Sequence, residues 1–135
     1  MEQNGLELVG AKVNSIVFDC DNPEKLAAFY RALLGGTVQV DPYGGHYLTV
    51  PGLDIGLGFQ LDEDYERPVW LGDPKAQQIM LHLDIQVKDR QKAIDYALSI
   101  GAEMPSAQFC QPDWEVQWTT LLDPAGHPFC LFETA

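Results

Sequence analysis

SIVFDCDNPEKLAAFYRALLGG, residues 15–36, lies in register against LDIQVKDRQKAIDYALSIGA, residues 83–102, and the reading of this pair decides the fold. In each stretch a short apolar strand runs into an Asp-bearing turn, and a helix follows that ends on glycine. The alignment pairs Asp21 with Asp89 and Gly35 with Gly101, and it sets Asn14 against His82, each seven places before its aspartate. Self-similarity on this scale marks one supersecondary unit used twice.

In the first copy a strand is expected over residues 12–20. Asp21 or Asn22 caps the helix, Pro23 takes its first position, and Leu26, Phe29, Tyr30, Leu33 and Leu34 recur at helical spacing. Strands then fit at 37–40, 46–50 and 55–61, separated by Gly, Pro and Asp turn signals. An acidic linker or flap covers about 62–78 and carries Tyr65 and Trp70, placed to close over a site or to meet a partner subunit. The second copy opens with IMLHLDIQV, residues 79–87, where Leu81, Leu83, Ile85 and Val87 alternate with Met80, His82, Asp84 and Gln86, the period of a strand with one apolar face. A helix is expected over 90–100, and strands at 102–104, 116–122 and 128–133, with Phe129-Cys130-Leu131 matching Phe59-Gln60-Leu61. One domain, 1–135, thus holds module one at about 12–61 and module two at about 79–133.

The bulk numbers set limits. With 135 residues, 46% hydrophobic and 21% charged, the chain is that of an ordinary folded unit. Its 20 acidic and 8 basic residues leave a formal net charge of −12. That balance argues against nucleic acid as a partner, because phosphate binding needs clustered Lys and Arg. No run approaches the roughly 20 apolar residues of a membrane helix, and the first ten residues have no signal-peptide pattern. Cys20, Cys110 and Cys130 are odd in number and widely spaced, in keeping with a cytoplasmic protein holding free thiols.

Two strand-helix-strand-strand-strand modules in tandem, with the helix text FYRALLGG and the closing LLDPAGHPFCLFE, resemble the vicinal oxygen chelate superfamily of glyoxalase, bleomycin-resistance and dioxygenase-like proteins. The resemblance covers about residues 12–133. It implies an α+β fold in which two βαβββ modules form a curved mixed-sheet cup, and it implies a homodimer. Metal-dependent members hold a divalent ion with one ligand from each of four strands. Those positions fall on Asn14, Gln60, His82 and Cys130. His82 alone matches the usual ligand type, and two neutral amides with one imidazole and one thiol make a weak set for zinc or manganese. No cofactor is expected, a weakly held divalent metal being the alternative.

Facing then assigns the cavity. Alternation turns His82, Asp84 and Gln86 away from the helices, and the Asn14 to His82 pairing turns Asn14, Ile16, Phe18 and Cys20 the same way. Gly56 and Gly58 are expected to leave space beside Gln60, while Trp118 offers a stacking surface, with Trp114 just before it. The expected ligand-binding residues are Asn14, Phe18, Gln60, His82, Asp84, Trp118 and Cys130. His82 and Asp84, two apart on one face, are the acid/base candidates. His46 and His127, beside turn signals, are expected in solvent. The leading reading is a glyoxalase-like protein that binds a small organic molecule in the cup. The alternatives are a drug-sequestering protein like the bleomycin-resistance members, or a metal-dependent lyase, isomerase or dioxygenase with an atypical site.

Overall fold

Cys20 marks the point at which the first strand meets its helix, and the local chemistry there recurs in the second half of the chain. The computed structural model describes residues 4–69 and 74–133, so Trp70 lies outside the described residues. After a short helix α1 (Gly5–Val9), the order is β1 (Ser15–Cys20), α2 (Pro23–Leu34), β2 (Thr37–Val40), β3 (His46–Thr49) and β4 (Gly56–Leu61). The second half follows with β5 (Leu83–Gln86), α3 (Arg90–Ser99), β6 (Trp118–Leu122) and β7 (Pro128–Phe132). The fold is the expected α+β arrangement of two mixed sheets, one ordered β1-β4-β3-β2 and the other β5-β7-β6.

Both sheets open with the same pairing. β1 lies parallel to β4 and β5 parallel to β7, and the next strand in each sheet runs antiparallel. The expected strand at 102–104 is reduced to one bridge, in which Glu103 exchanges both backbone hydrogen bonds with Leu122 at 2.8 Å. Pro105 follows closely and brings no N–H to extend a ladder.

Helix α2 joins the two sheets through aromatic packing. The Tyr30 ring stacks on Phe59 of β4 with centroids 5.7 Å apart and meets Phe129 of β7 at 6.4 Å, while Phe29 lies 5.8 Å from Phe129. Tyr30, Phe59 and Phe129 are almost wholly buried, and each such side chain removes apolar surface worth about 1.5–3 kcal/mol from water.

The helix caps fix the internal register. Asn22 Oδ1 accepts from the Lys25 N–H at 3.1 Å, and Asp89 Oδ1 accepts from the Lys92 N–H at 3.1 Å. Asn22, rather than Asp21, is therefore equivalent to Asp89. Core-facing residues agree: Ile16, Phe18 and Cys20 pack on the core from β1, as Leu83, Ile85 and Val87 do from and just beyond β5. His82 thus corresponds to Ser15, not to Asn14. A slip of one residue reverses the face of every side chain in a strand, and the expected facing of β1 is corrected accordingly. Phe18 and Cys20 turn into the core, and Val17 is half exposed on the opposite side.

Candidate functional site

Strand β5 carries His82 just before its first residue and Asp84 within it, both on the side away from the core. Pairing in the sheet sets Asp84 opposite Cys130 and Cys130 opposite Thr120, and it sets Trp118 opposite Phe132. Paired residues in a sheet share a face, so His82, Asp84, Cys130, Thr120, Trp118 and Phe132 form one surface. They line a cavity of about 450 Å³, completed by Ile79, Phe109, Val116 and Pro128.

The polar groups of this cavity are held by specific contacts. His82 Nε2 lies 3.2 Å from Asp84 Oδ1, with half of the imidazole side chain exposed (50%). The Thr120 hydroxyl is 3.2 Å from Cys130 Sγ. Burial pushes the Cys130 thiol pKa up, and the neighbouring Asp84 carboxylate adds to the shift, while the Thr120 hydrogen bond opposes it. The thiol is thus kept in its protonated form. The Thr120 backbone is fixed by one side-chain amide, since Gln108 Nε2 donates to Thr120 O at 2.7 Å and Gln108 Oε1 accepts from Thr120 N at 2.8 Å. Trp118 leans on Trp114, with ring centroids 5.1 Å apart and planes inclined by 33°.

Of the seven residues expected to meet a ligand, the structure brings His82, Asp84, Trp118 and Cys130 around this one space. Asn14 and Gln60 are exposed residues of the first half and line neither this cavity nor the one beside it. Phe18 belongs to the core, its ring centroid 5.2 Å from that of Tyr30 and 5.4 Å from that of Phe59, and it lines the neighbouring cavity instead. The space expected at the glycines is taken: a Cβ on Gly56 would collide with the Tyr47 ring, and one on Gly58 would lie 3.1 Å from Val17 Cγ2. Thr120 and Phe132 escaped the sequence reading although they alternate with Trp118 and Cys130. Phe109 comes from an irregular segment that carries no such signal, and Ile79, in phase with the apolar face of the alternating text, lies ahead of β5, which starts only at Leu83.

The neighbouring cavity, of about 350 Å³, lies between β1 and the linker and shares Ile79 and Pro128 with the first. Its wall is anchored rather than free. The Tyr65 hydroxyl donates to Ala125 O at 2.7 Å, and Arg67 bonds Pro124 O at 2.9 Å and Glu103 at 2.8 Å. Tyr65 therefore ties the linker to the Asp123-Pro124-Ala125-Gly126 turn. Here His127 is half-buried, its Nε2 donating to Asp19 O at 2.8 Å, contrary to the expected solvent position. His46 is likewise half-buried, because its pairing with Phe59 turns the ring inward.

Residues 15–132 match the family model described as a glyoxalase-like domain. No curated protein matches the chain in sequence. Among solved structures, a glyoxalase/bleomycin resistance protein/dioxygenase family enzyme from Burkholderia phytofirmans PsJN is similar with a TM-score of 0.69 at 18% identity, covering 93% of this chain and 100% of its own. A superfamily member from Sphaerobacter thermophilus is similar at 0.62 and 21% identity over 92% and 98%. A glyoxalase-related enzyme from Fulvimarina pelagi is similar at 0.64 and 13% identity over 91% and 88%. At these identities the structures speak for the fold. With the family model spanning both modules, the chain belongs to the glyoxalase-like domain family.

Proposed function

We propose that the protein binds a small organic molecule in the cavity of the second sheet, without the four-ligand metal centre that the superfamily resemblance implies. One observation carries this reading: about 450 Å³ of space stands between an apolar wall of Trp118, Phe109, Val116 and Phe132 and a compact polar group of His82, Asp84, Thr120 and Cys130. An apolar body with a few fixed polar atoms is the usual composition of a small-molecule site, and the volume suits a drug-sized ligand. The flat part of the ligand stacks on Trp118 while its polar end meets the His82–Asp84 pair. The four-strand ligand set is unfavourable because Asn14 and Gln60 lie outside the cavity and offer only neutral amides. If the bound molecule is turned over, His82 is the base and Asp84 orients its ring.

A second reading, sequestration of a cationic aromatic compound, is favoured by the Asp84 carboxylate beside Trp118 in a cavity lined by neither Lys nor Arg among the described residues. The bleomycin-resistance label in the names of solved neighbours points the same way. We further propose a homodimer, on the exposed apolar side chains Val13, Val40, Met80 and Leu81; light scattering on the purified chain tests it, and a monomer at all concentrations contradicts it.

The binding test is a panel of drug-sized aromatic cations, anions and neutral compounds in EDTA-containing buffer, read by melting temperature and Trp fluorescence. A binder present at a hundred times its Kd adds about 2.7 kcal/mol of stability, and Trp118→Ala removes that gain. A panel in which no compound raises the melting temperature contradicts the proposal.

A further inference from the structure

We infer that Gln108 is a positioning residue for the second-sheet cavity: its side-chain amide holds Phe109 in place as the end wall and so fixes how long a molecule the cavity accepts. The inference rests on the organic-ligand reading above and says which shape of ligand that cavity takes. Strand β6 is an edge of its sheet, and its outward backbone groups need partners. At Leu122 the backbone of Glu103 supplies both bonds, at 2.8 Å each. At Thr120, two residues back, a side chain takes over: Gln108 Oε1 accepts from Thr120 N at 2.8 Å, and Gln108 Nε2 donates to Thr120 O at 2.7 Å. One primary amide thus replaces one residue of a neighbouring strand.

The clasp reaches the cavity through the next residue. Phe109 lines the same space as Thr120, yet it is half exposed and outside the buried core. Core packing therefore does little to hold the ring, and the amide one residue away ties its backbone to the sheet.

Strand order turns this attachment into a length. Across the sheet the cavity runs from His82 and Asp84 at β5, over Cys130 on β7, to Thr120 and Trp118 on β6. Neighbouring strands lie about 4.8 Å apart, so the three span about 10 Å. Gln108 bonds the outer edge of β6, which puts Phe109 at the end opposite Asp84. A ligand whose polar group meets Asp84 lays its flat body over β7 and β6 and touches Phe109 with its tip. A rod of two aromatic rings fits between the polar pair and that wall, and a rod of three does not. The Asp84 carboxylate, in a lining without Lys or Arg among the described residues, makes an ammonium the matching polar end.

The test uses the full chain in EDTA-containing buffer with three rod-shaped cations that differ only in length: benzylammonium, biphenylmethylammonium and terphenylmethylammonium. In the wild type biphenylmethylammonium binds tightest and terphenylmethylammonium about tenfold more weakly. In Gln108→Met, which keeps the length of the side chain without its two hydrogen bonds, that gap closes. In the same variant without ligand, Thr120 N–H exchanges with solvent about tenfold faster, while Leu122 N–H, held by Glu103, keeps its rate. An unchanged ranking of the three cations in Gln108→Met, or unchanged exchange at Thr120, overturns the role of Gln108 and leaves the organic-ligand reading standing. A wild type that binds none of the three also overturns it, and the wider panel above decides separately whether the cavity binds organic molecules at all. Should Gln108→Met fail to fold, the side-chain amide resonance of Gln108 in the wild type decides. Saturation with terphenylmethylammonium displaces that amide from Thr120 and biphenylmethylammonium leaves it in contact; an equal response to both overturns the inference.

Discussion

Asp123 is fully buried yet supplied with partners: the Tyr30 hydroxyl donates at 2.7 Å, and the backbone N–H groups of Ala125 and His127 donate at 2.9 and 3.0 Å. Burial raises its pKa, while the nearby His127 and these hydrogen bonds hold it down. Asp123→Ala strands these three donors and removes the anchor of the last turn, so urea unfolding should show a loss of about 3 kcal/mol, with Tyr30→Phe losing about 1–2. The cysteines make a second case. Burial pushes the Cys20 thiol pKa up to about 11 and raises that of Cys130. A raised thiol pKa means less thiolate at a given pH, about one part in a thousand at pH 8 for Cys20. Alkylation at pH 8 should therefore label the less buried Cys110 first, and equal labelling of all three would contradict the burial. At this scale strict alternation put His82 and Asp84 on one face, and the structure sets Trp118 and Cys130 around the same cavity. Phe18 was misplaced because setting Asp21 rather than Asn22 against Asp89, a shift of a single residue, reversed the whole of β1.

The elements follow from their ends. Asn22 and Asp89 each satisfy an otherwise unpaired N–H in the first turn of a helix, and Asn22→Ala or Asp89→Ala should cost about 1 kcal/mol apiece. Past α2, Gly35 and Gly36 both hold positive φ, +79° and +107°. They differ in surroundings: a Cβ at Gly35 meets nothing within 4 Å, while one at Gly36 would collide with the Thr49 carbonyl. Gly36→Ala is expected to lower the melting temperature well beyond Gly35→Ala, whose cost is the backbone strain of roughly 1–3 kcal/mol for a side chain at positive φ with extended ψ; equal shifts would show that β3 yields at Thr49. Most elements were legible from Gly, Pro and apolar period. Helix α1 was not, since five residues give no repeat of an apolar face. β5 proved shorter than its alternating text, and Pro128, at the start of β7, has no N–H with which to extend the ladder toward His82. Met80 and Leu81 are accordingly left exposed.

Across the whole molecule, α2 locks its aromatic residues against both sheets, and the second sheet keeps its opposite face open to the larger cavity. No helix among the described residues is long and apolar enough to cross a membrane. A net charge of −12 favours organic cations over anions at low ionic strength, an advantage that salt should erode as the Debye length falls to about 8 Å at 0.15 M. Titrating a bound cation at two salt concentrations checks this, and salt-independent affinity would put the attraction in stacking alone. The fold could be read from the repeat, but the cavity could not be read whole, because Phe109 reaches it from a segment without periodicity and Ile79 from text whose alternation runs ahead of the strand that forms. The most direct test is a ¹H–¹⁵N shift map of the chain in EDTA with the best compound from the panel. Saturable changes centred on Asp84, Trp118, Thr120 and Cys130 are predicted; changes centred instead on Val17, Asp19 and Tyr65, or no saturable change, would contradict binding on the second sheet.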